Sequence, residues 1–180
     1  MTGRLIAVVG PSGVGKDSVM RALVAARPDM RLARRVVTRP SDAGGEDFDG
    51  VTPETFAQME ASGAFALNWF AHGLHYGIPA TVRADLNAGH DVLANLSRGM
   101  LGKAQEVFPG MITLNLTAER EVLAQRLTAR GRESIADIAA RLERADQPLP
   151  ADISALTQDN SGPLSQTITD ILNHLYPARA

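Results

Sequence analysis

Residues 4–18 read RLIAVVGPSGVGKDS. An apolar run closes on a glycine, two more glycines follow, and a lysine opens a segment with helical spacing. An apolar run without alternation suits a strand buried on both faces of a parallel sheet. The turn after it has the form of a phosphate-binding loop, in which backbone N–H groups converge on an anion and the next helix points its N-terminus at it. Lys16 then reaches the β and γ phosphates of a nucleotide. Because the turn follows a strand and opens a helix, it predicts a nucleotide site rather than a stray glycine-rich bend.

One letter departs from that pattern. A serine or threonine normally follows the lysine and holds magnesium through its hydroxyl, but Asp17 stands there. Asp17 reads either as a helix N-cap or as a metal ligand, since magnesium prefers hard oxygens, commonly one or two carboxylates plus substrate phosphates. Neither predicted strand 91–96 nor 111–116 ends in an acid, which favours a carboxylate moved into the loop. Ser18 is the weaker metal candidate, because one helical residue rotates a side chain by about 100°. ATP and Mg2+ are thus the expected ligands, with Gly10, Pro11, Ser12, Gly13, Val14, Gly15, Lys16, Asp17 and Ser18 around the nucleotide and Asp17 on the metal.

The rest of the chain alternates. Helical spacing covers 17–27, and an extended run follows at 34–38. Residues 39–50 are dense in turn formers, and Thr52-Pro53-Glu54 opens a helix that Gly63 ends. Residues 65–79 mix aromatics, glycines and His72 and His75 in a loop. Helix is expected at 80–89, strand at 91–96, helix at 97–108 and strand at 111–116. Thr117 caps a helix over about 118–130, another covers 134–145, a last strand 152–157 and a closing helix 164–175. Strands alternating with helices imply right-handed βαβ units and a parallel sheet covered on both sides, a three-layer α/β P-loop fold. The 180 residues, 44 % hydrophobic, suffice for one domain. Residues 39–80 read as an insertion over the sheet's carboxyl edge.

Composition narrows the chemistry. With no cysteine, disulfides, thiol catalysis and Cys-based zinc sites are excluded. A net charge of −2 gives no broad basic field, and no apolar run approaches membrane-spanning length. The expectation is a soluble, cytoplasmic protein without nucleic-acid or membrane partners. Only Lys16 and Lys103 are lysines among 18 basic residues, so positive charge is carried by arginine. Arg126 and Arg130 share a helical face, Arg132 follows and Arg141 lies on the next helix. Beside a phosphate loop, such a cluster suits a lid, since phosphoryl transfer depends on positioning and on cations around the transferred group.

These features resemble the guanylate-kinase-like branch of the nucleoside-monophosphate kinases along nearly the whole chain: GPSGVGK, Thr38-Arg39-Pro40, EDFDGVTPETF, HGLHYGIP and the run R-L-x-x-R-G-x-E, with Arg141 beyond it. The resemblance implies that Arg126, Arg130 and Arg141, with Lys16, act on the ATP phosphates as catalytic cations. It implies that Arg39 and Tyr76 hold the acceptor's phosphate. The departures point away from guanine: the second arginine and Gly-Glu after Thr-Arg-x-Pro are missing, and Asn68 stands where a base-reading glutamate is expected. A site built to hydrogen-bond a base does not lose those groups cheaply. GKD for GKS, AGGEDF, FALNWFAHGLHYGIPA, VLANLSRG and ARGRE are instead similar to the ribose 1,5-bisphosphate phosphokinase family. That similarity implies transfer of a phosphoryl group from ATP to a phosphorylated sugar, yielding 5-phosphoribosyl 1-diphosphate and ADP. The acceptor is then already an oxyanion and needs no catalytic base.

Asn95, Ser97 and Arg98 fall at a strand's carboxyl end, where open α/β sheets bind ligands. Substrate contact is expected there, with helix capping by Ser97 the alternative. Asp42, Glu46, Asp47 and Asp49 read as a solvated turn, and Trp69 as core packing. Asn160, in QDNSGP, either contacts adenine by analogy with related kinases or forms a turn.

Overall fold

The computed structural model describes residues 2–40, 47–131, 134–145 and 147–177. Its centre is β1 (Leu5–Val9), buried at every position. Side chains alternate across a strand, so Leu5, Ala7 and Val9 feed one apolar core while Ile6 and Val8 feed another. Strands β2 (Arg31–Leu32), β7 (Val92–Asn95), β8 (Ile112–Thr117) and β9 (Ala155–Asp159) complete a parallel sheet in the order β2-β7-β1-β8-β9. Helices α1 (Lys16–Ala26), α5 (Arg120–Ala129) and α7 (Leu164–Leu175) cover the Ile6 face through Val19, Leu23, Leu123 and Ile171. Helices α3 (Val82–Asn87) and α4 (Leu101–Val107) cover the other face through Leu86, Leu101 and Ala104. Helix α6 (Ile135–Ala145) lies beyond α5, and its first turn is fixed by Ser134 and Asp137, each accepting from the other's backbone N–H.

The run Arg34–Thr38 does not enter the parallel sheet. After Ala33 donates to the Leu93 carbonyl at 2.8 Å, the chain leaves the core. β3 (Arg35–Val37) then joins a second, four-stranded sheet in the order β4-β3-β6-β5. Its partners are β4 (Phe48–Gly50) and the hairpin β5 (Phe65–Ala71) and β6 (Leu74–Pro79). The insertion therefore begins at Arg35 rather than at residue 39. Residues 65–79 are this hairpin rather than a loop: His72 and Gly73 take positive φ of 53° and 76°, the two-residue turn that matches strand twist. Helix α2 (Pro53–Ala61) starts as expected, with the Thr52 hydroxyl accepting from the Thr55 amide.

Two further boundaries differ. Thr117 ends β8, paired with Asp159, so α5 starts two residues later, and Glu119 is its N-cap. The last strand is displaced to 155–159, because Ile153 first closes a turn onto the Pro150 carbonyl at 3.0 Å. Among the described residues no helix is long and apolar enough to cross a membrane.

At the opposite edge from the phosphate loop, Asp91 joins three elements. Its carboxylate accepts from the Arg4 amide at 2.7 Å, the Arg4 guanidinium at 2.6 Å and the Tyr176 hydroxyl at 2.6 Å. Burial pushes the Asp91 carboxyl upward, but the bonds from Arg4 and Tyr176 together hold it below the usual carboxylate range. Burial and the neighbouring carboxylate push the Tyr176 phenol up to about 12. A lowered carboxyl stabilises the fold fully above its unfolded value near 4, and that stability is lost as pH falls through the folded value. Asp91→Asn should cost about 1–3 kcal/mol at neutral pH and flatten the acid limb of a melting-temperature profile. Parallel acid limbs in the two proteins would refute this assignment.

Candidate functional site

The carboxyl ends of β1 and β7 open into a cleft of about 990 Å³. One wall is the turn from Gly10 to Lys16. Gly10 passes so close to β8 that a Cβ there would sit 2.5 Å from the Leu116 carbonyl oxygen. Gly15, the N-cap of α1, has φ 94°, a left-handed conformation that side chains disfavour. Lys16 Nζ donates to the carbonyls of Gly10 at 2.8 Å and Pro11 at 3.1 Å, which holds the ammonium over the loop.

Four expected nucleotide-site residues sit behind or beside that wall instead of facing the cleft. Val14 packs into the core, and its carbonyl accepts from Asn160 Nδ2 at 2.7 Å and Arg126 Nη1 at 3.3 Å. Asn160, only 4 % exposed, also accepts from the Thr167 hydroxyl at 2.8 Å. It buttresses the loop, and its amide is not presented to a base. Arg126 Nη2 donates to the Asn160 carbonyl at 2.8 Å, so this arginine braces the loop from outside the cleft. Ser18 is exposed on α1, turned away from the cleft by its helical rotation.

Asp17 faces the cleft and is the sole acid among the described residues lining it. It occupies the first turn of α1, one residue inside the helix, so it is not the N-cap. Among the described residues no group of three or more His, Cys, Asp or Glu is placed to hold a metal. A single hard carboxylate beside a phosphate loop fits a magnesium ion held mainly by nucleotide phosphates and water. The acid ending β9, Asp159, accepts from Ser161 instead.

The facing wall comes from the second sheet and the β7 end. Arg39, Tyr76, Asn95, Ser97 and Arg98 all line it. Tyr76 stacks on Trp69, with ring centroids 5.3 Å apart and 11° between planes. The Trp69 indole N–H donates to the Ser97 hydroxyl at 3.0 Å. Ser97 makes no capping bond, so its hydroxyl is oriented by tryptophan across the cleft wall. Asn68 donates to Glu60 and does not line the cleft, and His75 packs against Phe56 and Phe70. Asp47 and Asp49 pair with Arg34 at 3.2 and 2.9 Å and are not partnered with Arg39. Asp42, Glu46 and Arg132 lie outside the described residues.

Arginines close the remaining side. Arg141 Nη1 donates to the Ser12 hydroxyl at 2.6 Å, which joins α6 to the loop. Arg98 donates at 3.4 Å to the carbonyls of Arg144 and Ala145 at the end of α6, where the helix dipole favours a cation. Burial holds the Arg98 guanidinium below its usual value. Arg130, exposed at the C-cap of α5, also lines the cleft. Arg35 was missed by sequence reasoning, which treated it only as part of a strand. It lines the cleft although it is only 8 % exposed.

No family model matches the chain. It is 50 % identical to a ribose 1,5-bisphosphate phosphokinase PhnN of Pseudomonas fluorescens, covering 96 % of this chain and 94 % of that one. It is 48 % identical to the protein of the same name from a Ruegeria species, covering 99 % and 94 %. Among solved structures, a guanylate kinase from Anaplasma phagocytophilum is similar in fold, with TM-score 0.69 and 19 % identity over 97 % of this chain and 85 % of that one.

The Asn160 buttress makes a testable claim. Asn160→Ala removes a buried donor and acceptor and strands their partners, so urea unfolding should show a loss of about 1–3 kcal/mol. Amide exchange should accelerate through residues 10–16. Wild-type stability together with unchanged exchange would show that the loop does not depend on this side chain.

Proposed function

Because the chain belongs to the ribose 1,5-bisphosphate phosphokinase family, we infer that it transfers the terminal phosphoryl group of ATP to the 1-phosphate of ribose 1,5-bisphosphate. An oxygen of that phosphate forms the new bond to the γ-phosphorus as the bond to the β–γ bridging oxygen breaks. ADP leaves with the electron pair, and the sugar becomes 5-phosphoribosyl 1-diphosphate. The observation that carries this reading is one cleft with Lys16 and the phosphate loop on one wall and Arg39, Tyr76 and Ser97 on the other.

In this mechanism the loop amides and the α1 N-terminus cradle the nucleotide's phosphates, and Lys16 bridges toward the transferred group. Arg39 grips the acceptor phosphate with its planar fork, a geometry lysine cannot reproduce. Tyr76 and Ser97 add neutral hydrogen-bonding groups, and the hydroxyl of Ser97 is aimed by Trp69. Arg141 and Arg130 bring positive charge from the lid. Magnesium bound at Asp17 would neutralise charge on the β and γ oxygens. No side chain has to remove a proton, because the attacking group is an oxyanion.

A screen for ADP release from ATP with ribose 1,5-bisphosphate, GMP, AMP, dTMP and UMP tests this. Turnover should be confined to the bisphosphorylated sugar. Turnover of GMP with none of ribose 1,5-bisphosphate would identify a nucleotide kinase instead, and no turnover with any acceptor a binding module.

Arg130 should act chiefly at the transition state, where a cation lowers the barrier only by binding more strongly than in the ground state. Arg130→Ala should lower kcat on the order of a thousandfold while the Kd for ATP changes little. Equal losses in both would make it a ground-state anchor.

A further inference from the structure

We propose that Arg35 determines acceptor specificity by holding the second, non-reacting phosphate, so that the site selects a sugar phosphorylated at both ends. The inference rests on the acceptor reading above and extends it to a residue that the motif comparison did not assign.

Arg35 sits on β3 at the cleft floor, close to fully buried. Burying a guanidinium is costly unless its donors are engaged in good geometry. Its orientation is fixed from two sides. Nη1 donates to the Asn95 carbonyl at 3.1 Å, and the guanidinium carbon lies 5.1 Å from the Tyr76 ring centroid and 6.0 Å from that of Trp69. A planar cation set against rings and a carbonyl is pre-organised for an anion, because little side-chain freedom remains to be lost on binding.

Spacing supplies the second argument. Arg39 lies four residues beyond Arg35, past the end of β3 at Val37, where the Thr38 amide still donates to the His75 carbonyl at 3.1 Å. Both arginines line the cleft. Two cations on long stems, spaced along one wall, suit a small acceptor with an anion at each end. Asn68, at the position where resemblance expects a base reader, instead donates to Glu60. At this wall the protein thus presents the fixed Arg35 cation, while Asn68 is engaged away from the cleft.

The test compares ribose 1,5-bisphosphate with ribose 1-phosphate, which keeps the reacting phosphate and lacks the other. Wild type should favour the bisphosphate by roughly 10- to 100-fold or more in kcat/KM, as expected for one charge-assisted fork. Arg35→Gln should erase most of that preference by raising KM for the bisphosphate much more than KM for ribose 1-phosphate. Arg35→Lys should fall between. Arg39→Lys should raise KM for both sugars, because both carry the 1-phosphate. Equal losses on both sugars in Arg35→Gln would make Arg35 a structural tie, and absence of any wild-type preference would overturn the proposal outright. If the Arg35 variants do not melt cooperatively, a crystal structure of wild type with ribose 1,5-bisphosphate decides: the 5-phosphate must lie within hydrogen-bond distance of Arg35, and any other position overturns the assignment. Wild type that ignores ribose 1,5-bisphosphate but phosphorylates another acceptor would instead remove the underlying reading.

Discussion

A strand with no face to water governs this molecule. Because every residue from Leu5 to Val9 is buried, β1 needs apolar cover on both faces and a hydrogen-bonded neighbour on both edges. Parallel β7 and β8 supply the edges, and helices on either side supply the cover. Parallel strands end at one rim, so the turn after β1, Asn95 at the end of β7 and Asn160 after β9 converge there. The phosphate loop is then held by contacts that only this convergence creates: Gly10 against Leu116 of β8, and Val14 against Asn160 beyond β9.

What the sequence made readable follows from how local each signal was. The loop, α1, the Thr52 cap and the closing helix depend on residues within one or two turns of each other, and all were recognisable. Strand partnership is not local. Nothing in Arg34–Thr38 distinguishes a core strand from one that pairs with β6, and the true core edge, Arg31–Leu32, is too short to carry a pattern. The hairpin over 65–79 was legible in principle, with Leu67 and Trp69 alternating and a histidine-glycine turn, but glycines and histidines masked the alternation. The same limit applies at the site. Lys16, Arg39 and Tyr76, expected from motif and resemblance, line the cleft, whereas the burial of Arg35 and the use of Asn160 and Arg126 as braces arise from contacts more than 30 residues apart in sequence.

Charge in this protein is local in the same way. The whole chain is slightly acidic, yet among the described residues the cleft gathers Lys16 and six arginines around a single acid, Asp17. Other acids are engaged by partners of their own: Asp47 and Asp49 by Arg34, Asp91 by Arg4 and Tyr176, Asp137 by Ser134 and Asp159 by Ser161. A concave, low-dielectric site lined by one sign of charge focuses its field, so a nearly neutral protein can present a strongly positive pocket.

The arginines in and behind that pocket are not equivalent, and their existing bonds sort them. Arg126 braces the back of the loop. Arg98 holds the C-terminal carbonyls of α6, and Arg141 joins the same helix to Ser12. These contacts exist before any chemistry, so they position the lid and loop alike in ground and transition states. Such uniform interactions improve affinity without lowering the barrier for the chemical step. Arg130 differs, because it stands exposed at the C-cap of α5 and lines the cleft. In a reaction whose nucleophile needs no deprotonation, the protein's leverage lies in charge that engages as the phosphoryl group moves. Arginines of the same kind are thus set apart by where they are held: Arg98 and Arg141 bind α6 to its surroundings, whereas Arg130 caps α5 beside the cleft.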